Sequence, residues 1–181
     1  MRIIAGESRG RPLIAPAGRA TRPTSDRARE GLFSMLASRI GSFEGLEVAD
    51  LFAGTGALGL EALSRGAAHC TFVEKDPAAL TALKRNLETL DASERAEVRA
   101  QAAEHAAPPR ALCDLVLIDA PYRSGLAQRA LDRVAAGGWL APGAWVSVEL
   151  GGEDVTVPGA LAPDAERRFG KARILLLRTG G

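Results

Sequence analysis

Apolar residues Ala28, Leu32, Leu36 and Ile40 recur at helical spacing, and Thr24 or Ser25 stands where the first backbone amides of such a helix need a cap. Before them, Arg2-Ile3-Ile4 and Pro12-Leu13-Ile14 flank Gly6 to Gly10 and read as short strands around a turn. A connector containing proline and glycine runs on to Pro23. From Leu46 the pattern changes to short apolar runs separated by amphipathic stretches. Strands are predicted at 46–52, 69–74, 96–100, 113–119, 144–149, around 154–157 and at 173–178, and helices at 57–65, 77–90, 102–106 and 124–136. Continuous runs such as Leu115-Val116-Leu117-Ile118 between helices indicate a parallel sheet buried on both faces. The last strands have no long crossover between them, so an antiparallel hairpin is expected to close the sheet.

The 181 residues, 46% hydrophobic and 25% charged, suit one folded α/β unit that needs neither disulfide nor metal to hold its core. Cys70 and Cys113 sit far apart in apolar stretches and read as buried thiols in a reducing compartment. His69 and His105 have no ligand spacing around them, so no metal is expected. No apolar run reaches the length of a membrane span, and the expectation is a cytoplasmic protein.

The net charge of +1 points to no partner, but its distribution is uneven. Residues 1–30 hold Arg2, Arg9, Arg11, Arg19, Arg22, Arg27 and Arg29 against Glu7, Asp26 and Glu30. Such a basic arm suits phosphate contact, because the guanidinium fork pairs bidentately with phosphate oxygens. A general enrichment of arginine over lysine accounts for the same residues without any function. Arg167, Arg168, Lys171 and Arg173 near the late hairpin read more simply as a solvated charged turn.

Two segments carry chemistry. Asp50-Leu-Phe-Ala-Gly54-Thr-Gly56-Ala-Leu-Gly59 follows a strand and opens a helix, where glycines let a ligand approach backbone amides. Glu74, at the end of the next strand, is placed to accept ribose hydroxyls, a spacing that fits NAD and S-adenosylmethionine alike. Asp50 favours the second, since a carboxylate beside the loop repels a pyrophosphate and attracts a sulfonium and an ammonium. Gln101, just after the third core strand, is within reach of an adenine edge or is simply a solvated loop residue. The second segment, Asp119-Ala120-Pro121-Tyr122, ends the fourth core strand. A carboxylate and a backbone carbonyl that accept the two hydrogens of an exocyclic amine would free its lone pair for attack on a methyl group. Tyr122 would stack on the base. Pro121 pushes Ala120 toward extended geometry, which aims its carbonyl. Taken alone, the segment is also an ordinary strand-ending turn.

These residues resemble the bacterial small-subunit ribosomal RNA guanine-N2 methyltransferases, through Met1-Arg-Ile-Ile-Ala-Gly6, Ser8-Arg-Gly-Arg11, Arg22-Pro-Thr-Ser-Asp-Arg-Ala-Arg-Glu30 and the glycine loop extended to Gly66. The resemblance implies a Rossmann-like, seven-stranded methyltransferase fold, with residues 1–44 as a basic extension and 45–181 as the catalytic domain. It implies S-adenosylmethionine held by Asp50, Phe52, Gly54, Gly56, Glu74, Lys75, Gln101 and Ala102. The 16S rRNA, free or in a small-subunit assembly intermediate, would be gripped by Arg9, Arg11, Arg22, Thr24, Arg27 and Arg29 of a monomer. Asp119, Ala120, Pro121 and Tyr122 would be the catalytic turn. The family pattern there is Asp-Pro-Pro followed by Tyr or Phe, so Ala120 replaces the first proline and leaves the backbone freer. The rival readings are an amino-methyltransferase on DNA or another RNA, an NAD-dependent oxidoreductase and a non-catalytic RNA-binding module. The chain has no room for a separate DNA-recognition domain, and no hydride-chemistry residue is evident.

Overall fold

The computed structural model describes residues 1–16 and 25–180. Arg22 and Thr24 of the basic arm lie outside them. Helix α1 (Asp26–Ile40) begins at Ser25, whose side chain accepts from the Ala28 amide. Then come β1 (Glu47–Leu51), α2 (Ala57–Ser64), β2 (His69–Glu74), α3 (Pro77–Thr89), β3 (Ala96–Ala100), β4 (Cys113–Ile118), α4 (Leu126–Ala135), β5 (Leu140–Leu150), β6 (Leu161–Phe169) and β7 (Ala172–Thr179). The seven strands form one sheet in the order β3-β2-β1-β4-β5-β7-β6, with β7 antiparallel to both neighbours and the other pairings parallel. The order reverses between β1 and β4, the place in an open α/β sheet where strand ends diverge and leave a crevice.

Period-two alternation sorts the core into two layers. Val48, Leu115, Leu117, Ile174 and Leu176 face one side, against Leu36 of α1, Leu60 and Leu63 of α2 and Leu83 of α3. Ala49, Leu51, Val116, Ile118 and Val148 face the other, against Leu131 and Val134 of α4. Both sheet faces are therefore covered, as the unbroken apolar strands require. Ile3, Leu13, Phe33 and Leu36 belong to the same cluster as Leu60 and Leu63, so residues 1–16 and α1 contribute to the core of the sheet.

Four expectations need correction. The strand expected around 154–157 is irregular chain, with Val155 and Val157 packed on the core, and the actual edge strand is β6. Its exposed Asp164, Glu166 and Arg167 conceal any apolar period, and Pro163 is tolerated because an edge strand has an unpaired side. Strand β5 begins at Leu140 rather than 144, across Pro142 and Gly143. The N-terminal strands reduce to a single bridge between Arg2 and Pro12, and the helix expected at 102–106 to one 3₁₀ turn, Ala103–His105.

Candidate active site

The glycine loop leaves β1 through Phe52, whose φ of 61° is left-handed, and enters α2 at Gly56, with φ of 86°. A side chain on Gly56 would be strained by that φ, and its Cβ would lie 2.4 Å from Leu83 Cδ1, so the loop turns tightly against α3. Two carboxylates fix the loop from opposite sides. Asp50 is 1% exposed, and its Oδ2 accepts the Gly59 amide at 2.9 Å, supplying the cap that Gly56 lacks. Glu74 Oε2 accepts the Gly54 amide at 2.7 Å, while its Oε1 accepts the Lys75 and Asp76 amides at 2.9 Å.

These contacts revise two assignments. Asp50 is enclosed and engaged by the Gly59 amide, so the role expected for it toward a cationic ligand could be exerted only through the loop and not by direct contact. Glu74 has three of a carboxylate's roughly four acceptor directions filled by backbone amides, so it offers a ribose about one direction rather than two. Burial first, then the nearby Asp119 and Glu74 charges, push the Asp50 carboxyl well above its usual range, against the pull of the Gly59 amide. Asp119 and Glu74 thus set a negative field near the order reversal that favours a cationic ligand and opposes a pyrophosphate, while the buried Asp50 is biased toward its neutral form.

Beside the loop lies a cavity of about 190 Å³ walled by Phe52, Val73, Glu74, Lys75, Gln101, Ala103, Glu104, Pro121 and Leu126. Apolar walls with Glu74 at the edge fit a nucleoside, the purine between hydrophobic surfaces and the sugar at the carboxylate. Gln101 is held there by its own amide, which donates to the Glu74 carbonyl. Ala102 is not part of this wall; its neighbours Ala103 and Glu104 are. Gly54 and Gly56 shape the loop beside the cavity without lining it.

The Asp119 turn closes the same crevice, through Pro121. Asp119 follows directly on β4, and its amide approaches the Leu51 carbonyl of β1 at 3.4 Å, so the turn and the glycine loop are neighbours across the reversal. The Ala120 methyl is 2% exposed and belongs to the α4-side core. Tyr122 donates its hydroxyl to Glu149 at 2.7 Å. Glu149 escaped the sequence reading, although a single charge in the apolar run Val146-Ser-Val-Glu-Leu150 was a signal for it.

The basic arm divides. Arg9 and Arg27 are exposed, and Arg11 is exposed while donating to the Thr89 carbonyl. Arg29 is 0% exposed: it donates to the Arg2 carbonyl and to Asp26, and its Nε lies 3.9 Å from the buried Glu61. Its guanidinium therefore holds the fold together and presents nothing to a phosphate. No group of three or more metal-ligating side chains occurs among the described residues, and no helix among them is long and apolar enough to cross a membrane.

Known proteins share this arrangement. The family described as Conserved hypothetical protein 95 matches residues 1–178. Ribosomal RNA small subunit methyltransferase D of Escherichia coli strain K12 is 43% identical over 149 residues, 82% of this chain and 74% of the relative. The protein of the same name from Haemophilus influenzae is 42% identical over 153 residues, covering 82% and 78%. Among solved structures, yhhF from Escherichia coli superposes with a TM-score of 0.85 at 36% identity, covering 99% of this chain and 98% of that one. The chain belongs to the Conserved hypothetical protein 95 family, that of the small-subunit rRNA methyltransferases D.

Proposed function

We propose that the protein transfers a methyl group from S-adenosylmethionine to the exocyclic N2 of a guanine in 16S rRNA, as a monomer in the cytoplasm, on free RNA or on a small-subunit assembly intermediate. The observation that carries this reading is one cavity walled by both Glu74 and Pro121, which brings a nucleoside slot and an amine-accepting turn together. S-adenosylmethionine, when bound, supplies an electrophilic methyl group on a sulfonium. Phe52, Gln101 and the Glu74 carboxylate line the place for its adenosine, and the field of Glu74 and Asp119 suits its positive charge. Asp119 and the Ala120 carbonyl would accept hydrogen bonds from the two N2 hydrogens and so turn the nitrogen lone pair toward the methyl carbon. The methyl would leave sulfur as a neutral thioether, and the proton that N2 sheds would pass to Asp119. Tyr122 offers a face to the base. The exposed Arg9, Arg11 and Arg27, with Arg22 and Thr24, are assigned to the RNA backbone. The names of the small-subunit methyltransferase relatives support the same substrate.

The test is transfer of labelled methyl to small ribosomal subunits from a strain lacking this protein, with the product nucleotide mapped. Methyl at a guanine N2 is expected. Asp119→Ala is expected to slow single-turnover transfer about a hundredfold or more while calorimetric donor affinity is unchanged. Methyl on another atom, or only a few-fold loss, removes the assignment.

A further inference from the structure

The end of β5 and the segment after it grip the Asp119–Arg123 stretch at three points. Glu149, 4% exposed near the end of β5, takes the Tyr122 hydroxyl at 2.7 Å. At Gly151 the backbone passes so close to the ring that an added Cβ would lie 2.4 Å from Tyr122 Cδ2 and 2.7 Å from Cγ. Glu153 then bridges both segments, its Oε1 accepting the Arg123 amide at 3.0 Å and its Oε2 the Gly151 amide at 2.9 Å. Arg123 has a φ of 55°, a left-handed conformation that costs a residue with a side chain energy unless something holds it, and Glu153 is what holds it. Behind Glu153, Arg173 of β7 donates to the Glu153 carbonyl, to Asp154 at 2.6 Å and to Glu166 of β6 at 3.2 Å. The turn is therefore tied through Glu153 to the antiparallel end of the sheet.

From this geometry we infer that Glu149, Gly151 and Glu153 are positioning residues which hold the Tyr122 ring and the turn backbone in the geometry needed for methyl transfer. The inference rests on the activity proposed above. Its physical basis is that a turn with one proline has softer backbone torsions at Ala120, so the register of Asp119 and the Ala120 carbonyl depends on anchors on either side. On the far side, the anchors are those that β5 and its following loop provide. Glu149 orients the plane of the ring through a hydrogen bond to a charged acceptor, stronger than one between neutral groups. Gly151 supplies the flat surface on which the ring rests. Glu153 sets the chain direction leaving Tyr122. Burial acts against the Glu153 carboxylate, but the amides of Arg123, Glu153 and Gly151 and the Arg123 charge outweigh it and keep the carboxyl below its usual value.

Tyr122 is the only tyrosine in the chain, so ring-labelled tyrosine gives a single set of NMR signals that reports its packing directly. The experiment compares wild type, Glu149→Ala, Glu149→Gln, Tyr122→Phe and the Glu149→Ala/Tyr122→Phe double variant, by single-turnover rate with RNA and donor saturating, by donor calorimetry and, where tyrosine remains, by the ring signals. Glu149→Ala is expected to lower the rate about tenfold or more, as misplaced reacting groups do, with donor affinity unchanged and the ring averaged by faster flipping. Glu149→Gln, which keeps an acceptor, restores most of the rate and the ring signal. The double variant is expected to lose less than the sum of the two single losses, because both changes break the bond between Tyr122 and Glu149. A folded Glu149→Ala with wild-type rate and ring signals overturns the inference, as does full additivity in the double variant. If Glu149→Ala does not fold, wild-type rate in Tyr122→Phe overturns it instead. If wild type methylates no guanine, the activity reading fails, and the response of the ring to Glu149→Gln and Glu149→Ala still decides the clamp.

Discussion

At the residue scale, Asp50 shows how burial changes the meaning of a side chain. A carboxylate ahead of a glycine loop reads as a partner for a cationic ligand, yet here it caps α2 through Gly59 from inside the core. Its raised carboxyl means that the folded state holds the proton more tightly than the unfolded chain does. The contribution is therefore intact below the unfolded value of about 3.9 and fades as pH rises toward the higher folded value. Asp50→Asn keeps an oxygen for the Gly59 amide and removes the cost of a buried charge. In urea unfolding across a pH series, wild type is expected to lose stability relative to Asp50→Asn as pH rises above about 4. A constant difference between the two at every pH excludes this account. The cysteines are the plainer case: burial pushes the Cys113 thiol up to about 12 and the Cys70 thiol well up too, so neither is a nucleophile at neutral pH.

At the scale of elements, Glu61 joins the N-terminal segment to the sheet domain. Fully buried in α2, it accepts the Ile4 amide at 2.9 Å, the Ala5 amide at 3.0 Å and Arg65 Nε at 3.0 Å, and it lies beside Arg29 of α1. Burial pulls the Arg29 guanidinium below its ordinary value, and the charges of Glu61 and Asp26 oppose that shift. Glu61→Ala leaves the buried Arg29 and two backbone amides without this partner, and is expected to cost about 3–5 kcal/mol in urea unfolding. Trypsin should then cut at Arg9 or Arg11 well before the sheet domain is attacked. Stability within about 1 kcal/mol of wild type would mean that the apolar contacts of Ile3 and Leu13 suffice to hold the segment. Neither Glu61 nor the burial of Arg29 was legible in the sequence. Glu61 sits in a helix as any solvated glutamate does, and Arg29 lies one turn after Ser25 in an arm full of arginines, so only the packing of α1 on α2 distinguishes it from Arg27.

For the whole molecule, the balance of charge says little, while its placement offers candidate RNA contacts. With Arg29 enclosed, the described arm presents Arg9, Arg11 and Arg27. Neutralising Arg9 and Arg27 removes two candidate phosphate pairings without touching the donor cavity. The slope of log affinity against log salt on a single-stranded 16S rRNA fragment is expected to become shallower by roughly 0.7 for each phosphate pairing removed, with donor affinity unchanged. Filter binding over a salt series measures it, and an unchanged slope moves the RNA surface elsewhere, with Arg167, Arg168 and Lys171 of the late hairpin the next residues to neutralise.

Local pattern along the chain was enough to specify the core strands β1 to β4, a helix cap at Thr24 or Ser25, the strand-loop-helix around Gly54 and Gly56, and the acids at 74 and 119. Each depends on spacing between near neighbours, because periodicity and turn chemistry act over a few residues. Folding in three dimensions had to settle which strand lies at the edge, that Glu74 faces Gly54 across 20 positions, that Asp50 and Arg29 are inside, and that Glu149, Gly151 and Glu153 meet the turn after β4 from about 30 residues away. Those contacts join segments brought side by side only by the sheet order, and burial and hydrogen-bond partners are properties of the packed molecule rather than of any stretch of its chain.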